Sequence, residues 1–250
     1  MTSVLATEYY AWNNRWRFLH PFEKALFVAG LLAADFTLPA LTVAPQVFMV
    51  AWLAAVFGAK VPGRAFWRVM LVPSGFLLAG VPALAISINL DGTTSVLSLS
   101  LDGLALAASV SLRSFAAIGC LAFLILTTPL PDILRLARLM GVPPALVELA
   151  YLMHRLVFLM LDRASVARHA QGARLGYRSL PTGIRSLGML VGGLFVRSLE
   201  RGRRLDLGLA ARGYQGELRM LERSNEISLK RLALALFVVI MVVVLAVAQR

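Results

Sequence analysis

The sequence predicts an all-α integral membrane protein: about five transmembrane helices, with a pair of long cytoplasmic helices between the fourth and fifth spans. Three observations predict it. First, 59% of the 250 residues are hydrophobic and the mean hydropathy is +0.76, above the range of soluble domains. Second, the apolar residues stand in blocks that can cross a hydrocarbon core of about 30 Å at 1.5 Å per residue. Third, of the 25 Lys and Arg residues, all but Arg113 and Arg250 fall in the N-terminal segment, in 59–68 and in 129–231. Segments 36–40 and 89–102 carry none. That asymmetry places the N-terminus and the basic segments in the cytoplasm and the C-terminus outside.

The elements follow in order. The N-terminal segment mixes Tyr9, Tyr10, Trp12, Trp16 and Phe18 with Arg15, Arg17 and Lys24. It reads as an interfacial segment, and no cleavable signal peptide is expected. The block from Ala25 to Phe57 is too long for one crossing. Asp35 and Pro39 divide it into spans at about 24–38 and 40–58. A basic loop (Lys60, Arg64, Arg68) leads to a third span at about 67–89, where Pro73, Gly75, Gly80 and Pro82 are tolerated if neighbouring helices satisfy the backbone. A loop beginning at Asn89 and a fourth span at about 103–127 follow. Pro129 and Pro131 end that span, and 132–140 forms a short amphipathic helix stopped by Gly141. Long helices are expected over about 145–177 and 182–211, broken at Pro181. The run 232–248 is the fifth span. The domains are thus 1–128, with four spans, 129–229, cytoplasmic, and 230–250, the last span.

Several functions are excluded or disfavoured by the residues. The net charge is +12, but the basic residues flank apolar spans, so nucleic acid is not the expected partner; the lipid bilayer is. His20, His154 and His169 have no ligand spacing. The single Cys120 lies in an apolar run and reads as a small core residue. No HExxH, GxSxG or Walker A sequence occurs. We therefore expect no catalytic residues, no metal site and no cofactor in this chain. A membrane-embedded enzyme, for instance a lipid-modifying one, would need a cluster of charged groups or histidines at one membrane depth. A membrane anchor with a basic helix pair is a further alternative.

Three features remain. Arg113 lies inside the fourth span, where a charge needs a partner or a polar cavity. It meets a carboxylate on a partner subunit, pairs structurally with Asp35 or Asp102, or snorkels toward the outer face from about ten residues into the helix. Gly188 and Gly192 form a GxxxG spacing, which suggests close crossing with the helix at 145–177. Finally, Ala173-Arg174-Leu175-Gly176-Tyr177 is echoed by Ala211-Arg212-Gly213-Tyr214. Each follows a helical run, with Gly176 and Gly213 expected as left-handed stops. Ala170, Gly172, Ala173, Gly208, Ala210 and Ala211 keep both tips slim. A slim tip with a projecting guanidinium suits a groove that holds a carboxylate, and two such tips suit a symmetric dimer.

These residues resemble the T component of energy-coupling-factor transporters, in particular its cobalt-transport, CbiQ-like branch. The resemblance rests on His20-Pro21 followed by Lys24, on Leu126-Thr127-Thr128-Pro129 leading to Leu139-Met140-Gly141-Val142-Pro143, on His154-Arg155, and above all on the two Ala-Arg repeats. Leu175 stands where the common motif has Gly. The resemblance implies a non-catalytic scaffold in the bacterial inner membrane. Ala173, Arg174 and Leu175, and Ala211, Arg212 and Gly213, would be coupling motifs that each dock into one of two ATPase subunits. ATP and Mg would be bound by those partners. A substrate-binding, CbiM-like membrane subunit, with a small accessory membrane subunit, would carry the transition-metal ion. Cobalt is the expected substrate; nickel and biotin systems use similar T components.

Overall fold

The structure, a computed structural model, describes residues 3–89, 96–99, 101–214 and 228–249. Helix α1 (Ser3–Trp12) and a 3-10 turn (Arg15–Phe18) precede α2 (Pro21–Thr37) and α3 (Ala40–Leu53), which runs on through a π-helical turn (Ala54–Gly58). Then come α4 (Gly63–Ala85), strands β1 (Ile86–Asn89) and β2 (Val96–Leu99), α5 (Leu101–Thr127), α6 (Leu130–Leu139), α7 (Pro144–Ala173), α8 (Leu180–Ala210) and α9 (Leu229–Ala248). Contacts divide the chain into two compact units, Met1–Ile133 with Arg223–Arg250, and Leu134–Glu222.

The first unit is built around α5. Buried Phe123 and Leu126 on α5 meet Leu31 of α2, Val43, Val47 and Ala51 of α3, Phe66 and Met70 of α4, and Val242 of α9 in one core. Small residues bring the backbones together, as expected where lipid tails offer no hydrophobic drive for association. At Gly119 an added Cβ would stand 2.8 Å from the Phe48 ring, so only glycine lets α3 pack there. The opposite faces remain apolar: Leu71, Val72, Phe76 and Leu78 on α4 are exposed in the isolated chain and suit lipid.

The end of α5 explains much of the sequence around it. Its last carbonyls have no intrahelical donors. Lys24 Nζ donates to the Thr127 carbonyl at 2.8 Å, and Asn14 Nδ2 reaches the same oxygen at 3.2 Å. Both side chains are buried. A cation at this end is also favoured by the helix dipole. His20 Nδ1 accepts the Phe22 N–H at 3.2 Å and caps α2, with Pro21 at the first helical position. Glu23 accepts the Ser228 N–H at 2.8 Å and ties α2 to the start of α9. The His20-Pro21…Lys24 and Leu126-Thr127 segments are thus two halves of one buried joint.

The helical membrane fold agrees with the sequence, with one correction in the loop after the third span. Five helices are long and apolar enough to cross a membrane: Ala40–Gly58, Gly63–Pro82, Gly103–Thr127, Pro144–Ala173 and Leu229–Ala248. The expected first span is α2, whose 17 residues rise about 25 Å, at the short end of what a crossing takes. Helix α7, expected in the cytoplasm, meets the length and composition of a span, although Glu148, Arg155, Asp162, Arg163 and Arg168 lie along it. The correction is that the loop after the third span holds a short antiparallel hairpin pairing Ile86 with Leu99 and Asn89 with Val96. Its signal was the alternation Ile86-Ser87-Ile88-Asn89, too short to stand out beside the apolar spans.

Candidate functional site: two arginine-tipped helix ends

In the second unit α7 and α8 form a helical hairpin. Both arginine tips end in the same backbone geometry. At the end of α7 the Gly176 N–H donates to the Gln171 carbonyl at 2.9 Å and the Leu175 N–H to Gly172 at 3.0 Å. At the end of α8 the Tyr214 N–H donates to Leu209 at 3.0 Å and the Gly213 N–H to Ala210 at 3.1 Å. This is the Schellman arrangement, which encloses one left-handed residue. That residue is Leu175 at the first tip (φ 57°) and Gly213 at the second (φ 76°). The arginine immediately precedes it in both cases. Helix α6 closes in the same way around Gly141, but Met140 precedes the glycine there. The closure is therefore generic, and the arginine is what distinguishes the two tips.

Ala173, Arg174 and Leu175 are exposed, as are Ala211, Arg212 and Gly213. No carboxylate among the described residues pairs with either guanidinium. Both arginines thus stand on the surface with no carboxylate partner among the described residues.

One expectation is corrected at the first tip. Gly176 was expected as the left-handed stop, yet Leu175 takes that role. Gly176 is needed for another reason: a Cβ there would lie 2.7 Å from Ser186 Oγ and 2.9 Å from the Gln171 carbonyl. Ser186 Oγ donates to the Gly176 carbonyl at 2.8 Å and Gln171 Nε2 to the Ser186 carbonyl at 3.0 Å. These bonds fasten the elbow and hold Leu175 in a conformation that costs about 1–2 kcal/mol for an L-residue.

The tyrosines of the two echoes also work. Tyr177 donates to Gln171 Oε1 at 2.7 Å, and Tyr214 donates to Glu148 Oε2 at 2.9 Å, with Glu148 buried near the start of α7. Each hydroxyl pins its own tip to the hairpin. Sequence reading noticed both tyrosines but missed Gln171, Ser186 and Glu148, whose roles depend on contacts across the hairpin.

The glycine spacing on α8 does not act as expected. A Cβ at Gly188 or Gly192 would meet nothing within 4 Å, so α7 does not cross closely there. The close approach is at Gly176 and Ser186 instead.

Arg113 lies in the first unit, about 21 Å along α5 from its end at Thr127. It donates to the Leu38 carbonyl at 2.8 Å, in the turn joining α2 to α3. Asp35 is wholly buried and within electrostatic reach, but its oxygens accept no hydrogen bond among the described residues. Asp102 is outside the residues whose side chains are described. Within the chain, the expected structural pair with Asp35 is thus replaced by a backbone bond, with Asp35 nearby. Arg113→Leu should leave insertion intact but lower the thermal midpoint, and adding Asp35→Asn should restore part of the loss. Coupling of about 1 kcal/mol is expected. Additive losses in a double-mutant cycle would show that the two charges are independent.

Among the described residues no group of three or more His, Cys, Asp and Glu could hold a metal ion. His154 packs edge-on against Phe158, with ring centroids 4.8 Å apart.

With the paired tips in view, comparison with known proteins is informative. The family model described as CbiQ, cobalt transport protein, matches residues 13–223. The chain belongs to this family. The match takes in both arginine tips, the α5 joint and Arg113. A cobalt transport protein CbiQ of Rhodobacter capsulatus is 39% identical over 220 residues, covering 88% of each chain. One of Salmonella typhimurium is 30% identical over 219 residues, covering 84% of this chain and 97% of that one. A Methanocorpusculum labreanum protein described as a putative fused cobalt transport protein CbiMQ is 27% identical over 226 residues, which make up 86% of this chain and 37% of that protein. Family and apolar helices together make this CbiQ-family chain a multi-pass membrane protein.

Proposed function

We propose that the chain is the transmembrane scaffold of an energy-coupling-factor importer for cobalt. In this reading it is not an enzyme. It passes the motion of an ATP-hydrolysing pair to a separate membrane subunit that binds the metal ion. The observation that carries the proposal is the repeated tip: two exposed arginines, unpaired among the described residues, in one backbone geometry, each tip pinned by a tyrosine. Such a pair suits two equivalent grooves, each with a carboxylate, on a dimer of ATPases. Arg174 would enter one and Arg212 the other, with bidentate geometry that lysine cannot reproduce. The CbiM-like partner is supported by the fused relative, whose printed name joins CbiM to CbiQ. The full chain, tagged and expressed with its genomic neighbours, should retain an ATPase pair and a second membrane protein through purification. Purification of the chain alone from that background would count against the scaffold reading.

The orientation belongs to the same proposal. Basic residues place the N-terminus and both tips in the cytoplasm of a bacterial inner membrane. Single cysteines at Pro62 and Leu180 should resist a membrane-impermeant maleimide in intact cells, whereas cysteines at Gly92 and Arg250, outside the described residues, should react. The native Cys120 is buried and should stay silent. Reaction at position 180 from outside would mean that α7 crosses the bilayer, and the tips could not share the cytoplasmic ATPases.

A further inference from the structure

The first unit holds a groove of about 750 Å³ that the coupling reading does not use. Its walls are apolar: Leu19 and Phe27, Leu53 of α3, Phe123 of α5, and Val238 and Met241 of α9. Its mouth is basic. Arg15, on the 3-10 turn, and Arg231, at the start of α9, both line it and are exposed. Neither side chain has an ion pair or hydrogen bond among the described residues. Glu23 and Lys24 also line the groove, but they offset one another in charge. Glu23 is engaged by the Ser228 N–H and Lys24 by the Thr127 carbonyl. The two arginines therefore leave the mouth net positive.

The dimensions select the occupant. From Arg231 to Met241 the groove follows α9 for about 15 Å. That is half of a hydrocarbon core of about 30 Å, the depth of one leaflet. One acyl chain suits that length and the apolar lining of the groove. A basic mouth between membrane helices at the cytoplasmic level is also where anionic headgroups bind.

We propose that this groove binds one anionic phospholipid, its phosphate held by Arg15 and Arg231 and one acyl chain lying against Phe27, Leu53, Val238 and Met241. The lipid bridges the N-terminal turn, α3 and α9 in the leaflet that faces the basic side of the protein. The site uses none of the residues of the arginine tips, so lipid binding is tested without any ATPase.

The test uses the full chain, delipidated in mild detergent and offered phosphatidylglycerol or phosphatidylcholine with the same acyl chains. Retained lipid is read by native mass spectrometry. One phosphatidylglycerol should be retained in preference to phosphatidylcholine by about tenfold to thirtyfold, from two arginines at the surface. The Arg15→Gln/Arg231→Gln variant should bring the two lipids to near parity. Ala235→Phe, which narrows the groove and leaves the charges in place, should reduce retention of both lipids. Inorganic phosphate should not displace phosphatidylglycerol. Arg163→Gln, remote in sequence and in the other unit, should leave the preference unchanged. Size-exclusion profiles matching that of the parent chain keep a folding defect from imitating these losses. Equal retention of the two lipids, a preference that survives the double substitution, or displacement by free phosphate would each overturn the assignment. So would unchanged lipid retention in the Ala235→Phe protein.

Discussion

Replacing Arg174 or Arg212 with Ala should weaken capture of the ATPase pair by about tenfold to a hundredfold, and replacing both should abolish it. The magnitude follows from one charge-assisted hydrogen-bonded contact, about 1.5–3 kcal/mol, lost at each tip. The partner's carboxylate is stranded as well, which adds to the loss. Lysine should rescue only in part, since it keeps the charge without the planar fork. Arg201→Ala, an exposed cation outside the tips, should have little effect. The measurement is pull-down of the ATPases and uptake of radioactive cobalt at matched membrane levels of each variant. Full capture and full uptake by the double variant would remove the coupling role from these residues. The fold should survive, because both side chains are exposed and only backbone groups close the two helix ends.

The second large effect is expected at the joint beneath α5. Lys24→Met keeps most of the side-chain volume but removes the donor from the Thr127 carbonyl. Asn14→Leu removes the other donor. With both gone, a buried carbonyl is left unsatisfied, at a cost of about 1–3 kcal/mol. The thermal midpoint of the purified protein should fall by about 5 °C in the double variant. Each single variant should lose less, because the remaining donor still reaches the oxygen. ATPase capture per folded molecule should be unchanged. A midpoint equal to the parent's would mean that water satisfies the carbonyl and that the joint is dispensable.

The two sites were legible in the sequence to different degrees, for physical reasons. Long apolar blocks and the distribution of Lys and Arg are properties of the chain itself, so α3, α4, α5 and α9 could be placed directly. Helix α2 was harder, because its 17 residues carry Glu23, Lys24 and Asp35 and are near the minimum for a crossing. Helix α7 was assigned to the cytoplasm with the basic segment, although its length and composition also suit a span. At the tips, the repeated Ala-Arg pair gave the arginines and the helix stops. The exchange of roles between Leu175 and Gly176 was not legible. It depends on Ser186 coming within reach across the elbow, and that contact has no local signature. The glycine spacing on α8 misled for the converse reason: small residues permit close packing but do not require it. Arg113 was recognisable as an intramembrane charge, yet its bond to the Leu38 carbonyl required knowing that the short α2–α3 turn ends at its level.

One consequence follows from α8 being a single continuous helix of 31 residues between the two tips. Its rise of about 46 Å fixes their spacing, and its pitch fixes their relative rotation. Removing one residue would shorten the spacing by about 1.5 Å but swing Arg212 through about 100° about the axis. Removing seven would shorten it by about 10 Å and leave the arginine only about 20° out of phase. The tips are therefore indexed like two teeth on one shaft. Their angular setting is far more sensitive to small changes in helix length than their separation is. Under the proposed coupling role, insertions in α8 would be tolerable only near whole turns, since a helix of nearly the right length but the wrong phase would present one arginine to its groove while turning the other away.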